Sequence, residues 1–66
     1  MNIEINGEQK TASVGITIAL LLETYKIVPA TIVVELNNVI VKPDTYTSSC
    51  LSEGDKLEFI RFVGGG

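Results

Sequence analysis

The sequence predicts an α+β domain, a mixed sheet with one helix packed across one face. Three observations carry this. Short runs near both ends of the chain alternate apolar and polar residues, as half-buried strands do. Between them, Ile18, Leu21, Leu22 and Tyr25 recur at i, i+3, i+4 and i+7, which is one stripe of an amphipathic helix. Turn residues (Asn6-Gly7, Pro29, Asn37-Asn38, Gly54) separate the runs. One helix cannot hide its stripe alone, nor can a sheet hide its face, so each must cover the other.

Taken in order, residues 1–6 form the first strand, with Ile3 and Ile5 on one side and Asn2 and Glu4 on the other. Asn6-Gly7 marks a hairpin, because both central residues of a type I′ turn need positive φ. The returning strand, residues 8–13, is polar and reads as a sheet edge. Thr17 is the expected N-cap of the helix, its hydroxyl free to accept from a first-turn amide. Pro29 disfavours the α region at Val28, which places the helix end near Lys26 or Ile27.

Residues 31–36, TIVVEL, are β-branched and read as a central strand. Asn37-Asn38 is a turn, since Asn tolerates left-handed backbone. Residues 39–41 start a further strand, which Lys42-Pro43-Asp44 ends. Residues 44–52 are polar and irregular, with room for a single helical turn. Ser52-Glu53-Gly54-Asp55 is a turn, and residues 56–62, KLEFIRF, form the last strand. The order β-β-α-β-β-β with one covering helix is the ubiquitin-like β-grasp arrangement. It puts the last strand inside the sheet, with residues 1–63 as the domain and residues 64–66 as a flexible glycine tail.

A chain of 66 residues holds one domain, and its core must be economical, with no space for an internal active site. Net charge is −3, which argues against a nucleic-acid partner and for a basic protein surface instead. The opening residues lack the basic start and apolar run of a signal peptide. The longest apolar stretch, ITIALLL, is too short to span a bilayer. The single cysteine, Cys50, forms no internal disulfide, and a small secreted domain usually needs one. These features together predict a soluble, cytoplasmic protein that does not meet membranes.

Catalytic chemistry is hard to assemble from this chain. There is no histidine, so Ser/His and Cys/His pairs and the commonest metal ligand are absent. Cys50 alone makes neither a cysteine-rich zinc site nor an iron–sulfur cluster. Its neighbours Ser48, Ser49, Leu51 and Ser52 offer no cation to activate the thiol, so Cys50 reads as inert and half-buried. Glu53 and Asp55 flank Gly54 in a turn and are expected to be solvated. Gly64-Gly65-Gly66 is not a phosphate loop, because no helix follows it. The sequence therefore predicts no catalytic residue, metal or bound cofactor.

Two features remain. The last strand places Leu57 and Phe59 on one face and Glu58, Ile60 and Phe62 on the other. With Glu58 turned to water, Ile60 and Phe62 become an exposed apolar pair suited to docking, or ordinary surface hydrophobes. Arg61 lies on the Leu57 face near the strand end, free for solvent or for a partner's acid. The chain then ends in three glycines, a frayed end or cloning remnant on one reading. On the other, it is a thin probe that reaches about 10 Å beyond Val63, at ~3.4 Å per residue, and delivers a carboxylate into a channel of another protein.

The opening MNIEINGE, the helix IALLLETY, the strand-turn-strand TIVVELNNVIV, the Gly54-Asp55 turn and the ending KLEFIRFVGGG together resemble the ThiS family of thiamine-biosynthesis sulfur carriers. The resemblance spans essentially the whole chain and implies a carrier, not an enzyme. An E1-like adenylyltransferase, ThiF, would activate the Gly66 carboxylate with ATP. Sulfur from a persulfide enzyme would convert it to a thiocarboxylate, and thiazole synthase, ThiG, would accept that sulfur. Gly66 is then the attachment site. Gly65 completes the family's terminal diglycine and Gly64 extends the tail, while Ile60, Phe62 and Val63 fall where partner contacts are expected. The rivals are the small subunit of molybdopterin synthase, another ubiquitin-like carrier or modifier, and a plain β-grasp interaction module.

Overall fold

A computed structural model describes residues 1–62; Val63, Gly64, Gly65 and Gly66 lie outside the described residues. The elements are β1 (Asn2–Ile5), β2 (Glu8–Thr11), α1 (Ile18–Thr24), β3 (Ile32–Leu36), β4 (Val39–Ile40) and β5 (Lys56–Arg61), with 3-10 turns at Pro29–Thr31 and Pro43–Thr45. The sheet order is β2-β1-β5-β3-β4. β5 runs parallel to β1 and antiparallel to β3, so the last strand occupies the middle of a mixed sheet. One helix over such a sheet is the expected ubiquitin-like β-grasp.

The first hairpin forms as its residues dictate. Asn6 has φ 50° and Gly7 φ 82°, the left-handed backbone that a type I′ turn demands. The second hairpin repeats this with Asn37 at φ 51° and Asn38 at φ 71°. The polar β2 is an edge, as predicted, and bonds only β1 among the described strands.

The helix is short but well terminated. The Thr17 hydroxyl accepts from Leu20 N–H at 3.2 Å. Two further N–H groups of the first turn donate into the loop before β5, Ile18 to Ser49 O and Ala19 to Tyr46 O, both at 3.0 Å. The N-terminus of α1 is thereby consumed by its own protein. At the other end, Lys26 N–H donates to Glu23 O and Ile27 N–H to Leu22 O, with Lys26 at φ 57°. This is a Schellman cap on a lysine rather than a glycine. It ends the helix at Thr24, earlier than Pro29 suggests, because the chain turns before proline can act. Tyr25 accordingly leaves the buried stripe: it caps the helix and is 40% exposed.

The core joins Ile18, Leu21 and Leu22 of α1 to Ile3, Ile5, Ile32, Val34 and Leu57 of the sheet. Tyr46 and Leu51, from the segment that reads as merely polar and irregular, complete it. They are the large apolar residues in a run of Thr, Ser and Asp, and the loop folds so that both turn inward. Cys50 is exposed, not half-buried. Its backbone bridges Thr17, which directs the side chain outward while Leu51 points in.

Candidate functional site

The described part of the site is β5 and the open face of the sheet, the face away from α1. β5 is fixed most firmly where it starts. Asn37 Oδ1 accepts from Lys56 N–H at 3.0 Å, and Asn37 Nδ2 donates to Asp55 Oδ1 at 3.1 Å. Asp55 Oδ2 accepts from Ser52 N–H at 2.8 Å, and Glu53 Oε1 accepts from Asn2 N–H at 2.9 Å. Glu53 and Asp55 therefore fasten the turn before β5 rather than standing free in water. Gly54, at φ 83°, gives that turn its left-handed step.

Asn6 performs a less obvious task. The parallel pairing of β1 with β5 covers Glu4 with Lys56 and Ile5 with Leu57. Asn6 N–H still donates to Leu57 O at 3.0 Å, but the chain then turns away. In a continued ladder the carbonyl of Asn6 would accept from Phe59 N–H. Its side-chain Oδ1 does so instead, at 2.8 Å. The residue that permits the turn thus also supplies the bond the turn removes. Sequence reasoning reaches the turn from Asn6 and Asn37 but not these two bonds, which join residues 53 and 19 positions apart.

Beyond Phe59, β5 continues beside β3 alone among the described strands. Ile60 pairs with Val33 and Arg61 with Ile32, and Phe62 N–H donates to Thr31 O at 3.1 Å. Directly paired residues share a face, so Ile60 stands beside Val33 on the open side. Ile60 is 44% and Phe62 60% exposed, while Leu57, on the helix side, is 3% exposed. Arg61 is exposed, and among the described residues it makes no ion pair. Val63, Gly64, Gly65 and Gly66, the remaining residues that the sequence singles out, follow Phe62 outside the described part.

The hollows are open ones, and the one on the sheet face, about 300 Å3, lies between the two hairpin turns beside Glu4, Glu35 and Glu58. Among the described residues no group of His, Cys, Asp or Glu is arranged to hold a metal ion. The site as described offers a rigid strand and an apolar face leading to the glycines, without a nucleophile–base pair.

Comparison with known proteins agrees with this architecture. The ThiS family model matches residues 3–66. A crystal structure of the thiamine biosynthesis protein ThiS from Geobacter metallireducens superposes with a TM-score of 0.87, at 30% identity, over 100% of both chains. A thiazole synthase of Magnetococcus marinus is 38% identical over 66 residues, all of this chain but 20% of that protein. One from Paramagnetospirillum magneticum is 36% identical over the same length and the same share of each chain. The chain thus spans about a fifth of the length of these curated relatives. The ycf40 protein of Pyropia yezoensis is 36% identical, with 100% of this chain and 93% of that protein covered.

Proposed function

The chain belongs to the ThiS family, and we propose that it is a sulfur carrier of thiamine biosynthesis whose cargo is held as a thiocarboxylate on Gly66. Residues 1–63 serve as the scaffold and residues 64–66 as the arm. The family match over residues 3–66, which takes in the glycines, is the observation that carries this reading.

The chemistry follows from what a carboxylate lacks. A free carboxylate resists nucleophiles, so an adenylating partner of the ThiF type must supply ATP. The Gly66 carboxylate attacks the α-phosphorus, pyrophosphate leaves, and an acyl-adenylate forms. The terminal sulfur of a persulfide-bearing enzyme then attacks the carbonyl and displaces AMP, and a thiol reduces the resulting acyl disulfide, breaking its S–S bond and leaving the thiocarboxylate on Gly66. The carrier itself binds no cofactor and provides position: a docked scaffold makes the encounter of carboxylate and ATP effectively intramolecular. Glycines suit the arm because, without Cβ atoms, they accept whatever dihedrals a narrow channel requires. Ile60, Phe62 and Val63 are the contacts we assign to docking, next to the point where the arm begins.

Thiazole synthase is the acceptor we favour. Proteins of that name contain a stretch matching the whole of this chain, and that fusion supports a shared chemistry. Among the described residues no helix is long and apolar enough to cross a membrane, and the free thiol of Cys50 suits the reducing cytoplasm, where we place the reaction.

Intact mass spectrometry tests the proposal. After incubation with ATP, the adenylyltransferase, a persulfide donor and a thiol reductant, the chain gains the mass difference of one oxygen replaced by sulfur, and only when ATP is present. An unchanged mass would leave a plain interaction module. In cells lacking the gene, growth restored by thiamine assigns the sulfur to the thiazole; growth restored by a molybdenum-cofactor precursor would assign it to molybdopterin.

A further inference from the structure

The chain holds four asparagines, and the fold treats them unlike one another. Asn2 lies in β1 and precedes Ile3, which is buried. Asn37 is held at both ends of its amide, Oδ1 by Lys56 N–H and Nδ2 by Asp55. Asn38 precedes the β-branched Val39. Asn6 differs on each count. It is exposed, its neighbour Gly7 is exposed, and a Cβ at position 7 would meet nothing within 4 Å. Among the described residues the Asn6 side chain makes one hydrogen bond, from Phe59 N–H to Oδ1, and Gly7 N–H donates to no group.

An asparagine amide is open to attack from the backbone nitrogen that follows it. That nitrogen closes a ring on Cγ, ammonia leaves, and a succinimide forms. Water then opens the ring at either carbonyl. One product is an aspartate. The other is isoaspartate, in which the main chain runs through the former side chain. Glycine in the next position lacks the Cβ that would shield the nitrogen, whereas the branched Cβ of Ile3 or Val39 crowds it. For the ring to close, the Asn6 side chain must swing back over its own chain. The bond from Phe59 N–H, at 2.8 Å, holds it on β5 instead. The turn, with Asn6 at φ 50° and Gly7 at φ 82°, fixes the backbone around the nitrogen.

We propose that Asn6-Gly7 is a site of spontaneous covalent modification in this protein, and that the hydrogen bond from Phe59 N–H gates it. While β1 and β5 stay joined, the Asn6 amide is kept from its neighbour. When the junction opens, Gly7 N reaches Cγ, the amide nitrogen leaves as ammonia and isoaspartate forms. The step consumes only water. It is favoured by base, because the attacking nitrogen must shed its proton. The product also resists return to the native fold. Isoaspartate adds one methylene to the main chain of a two-residue hairpin loop, and the loop sets the register of its strands. It turns the former side-chain acceptor into main chain, so Phe59 N–H loses its partner. Position 6 thus converts a transient opening into a lasting one and leaves a covalent mark on chains that have loosened. An aspartate there keeps both the loop length and an acceptor oxygen, so the damage lies with the isoaspartate product. None of this depends on the carrier function.

The test incubates the full chain at neutral and mildly alkaline pH, both native and in urea. Peptide mass spectrometry follows each asparagine, and enzymatic methylation of the free carboxylate counts isoaspartate. Asn6 is expected to gain the mass of one NH replaced by one oxygen ahead of Asn2, Asn37 and Asn38. The native chain should react at least about fivefold more slowly than the unfolded one, the factor carried by one hydrogen bond of ordinary strength. Leu57→Ala, which loosens the start of β5, should close part or all of that gap. The aged, isoaspartate-bearing chain should melt about 4–8 °C lower than the fresh one, whereas Asn6→Asp should melt within about 3 °C of it. Equal rates in the native and unfolded chains would overturn the gate. Earlier reaction at Asn37 or Asn38 would overturn the site. Aged and fresh chains with one melting temperature would show that the hairpin absorbs the extra methylene, and would count against the proposal too.

Discussion

The two ends of β5 are held by different means. Where the strand begins, main chain and side chains both grip it: Asn37 and Asn6 supply side-chain oxygens to Lys56 and Phe59, and Leu57 is buried under α1. Where it ends, the ladder to β3 continues through Arg61 and Phe62, but β1 has already turned away. The lesson is a division of labour within one strand. Its first half fixes the scaffold, and its second half presents Ile60 and Phe62 to solvent.

Substitutions along the strand should reproduce that gradient. Leu57→Ala empties a site in the core and is expected to cost about 2–4 kcal/mol, lowering Tm by about 10 °C or more in a domain this small. Thermal melting followed by circular dichroism measures it, and a shift under about 3 °C would mean that the start of β5 is not fixed as described.

Asn6→Gly separates the two roles of Asn6. Glycine keeps the positive φ of the turn but removes the acceptor for Phe59 N–H, so the expected loss is about 1 kcal/mol. Amide exchange at Phe59 should accelerate while that at Ile5 changes little. A variant as stable as the wild type, with Phe59 still protected, would show that the side-chain bond contributes nothing.

Ile60→Ala, near the end of β5, should alter stability by less than about 0.5 kcal/mol, because an exposed side chain loses little on truncation. Its effect belongs to docking, read as a raised KM for the carrier in adenylation. Removing Gly65 and Gly66 is expected to have the smallest effect on melting, within experimental error, while abolishing sulfur transfer entirely. A large melting shift on removal would place those glycines in the domain's own packing.

Much of this gradient is legible in the sequence. Alternation in KLEFIR separates Leu57 from Ile60, and positive-φ residues locate both hairpins. What escapes is long-range or cooperative. Nothing local to Asn6 announces Phe59, because that bond depends on β1 and β5 being neighbours at one register. Tyr25 carries the helical period yet lies at a cap, because Lys26 adopts left-handed backbone where a glycine would signal the stop. Tyr46 and Leu51 sit in a polar run with no period, so their burial appears only once the loop has closed over α1. For residues 64–66, composition gives no period or pattern to read, and the family match extends through them to residue 66.

The proposed carrier function requires that the sulfur end up on the Gly66 carboxyl carbon. Fragmentation mass spectrometry of the sulfur-loaded chain addresses it, because this protein holds one competing site, the exposed thiol of Cys50. The predicted result is the exchanged sulfur in the fragment that ends at Gly66, with the same yield from Cys50→Ser. Sulfur recovered on the fragment containing Cys50, and lost in Cys50→Ser, would contradict it.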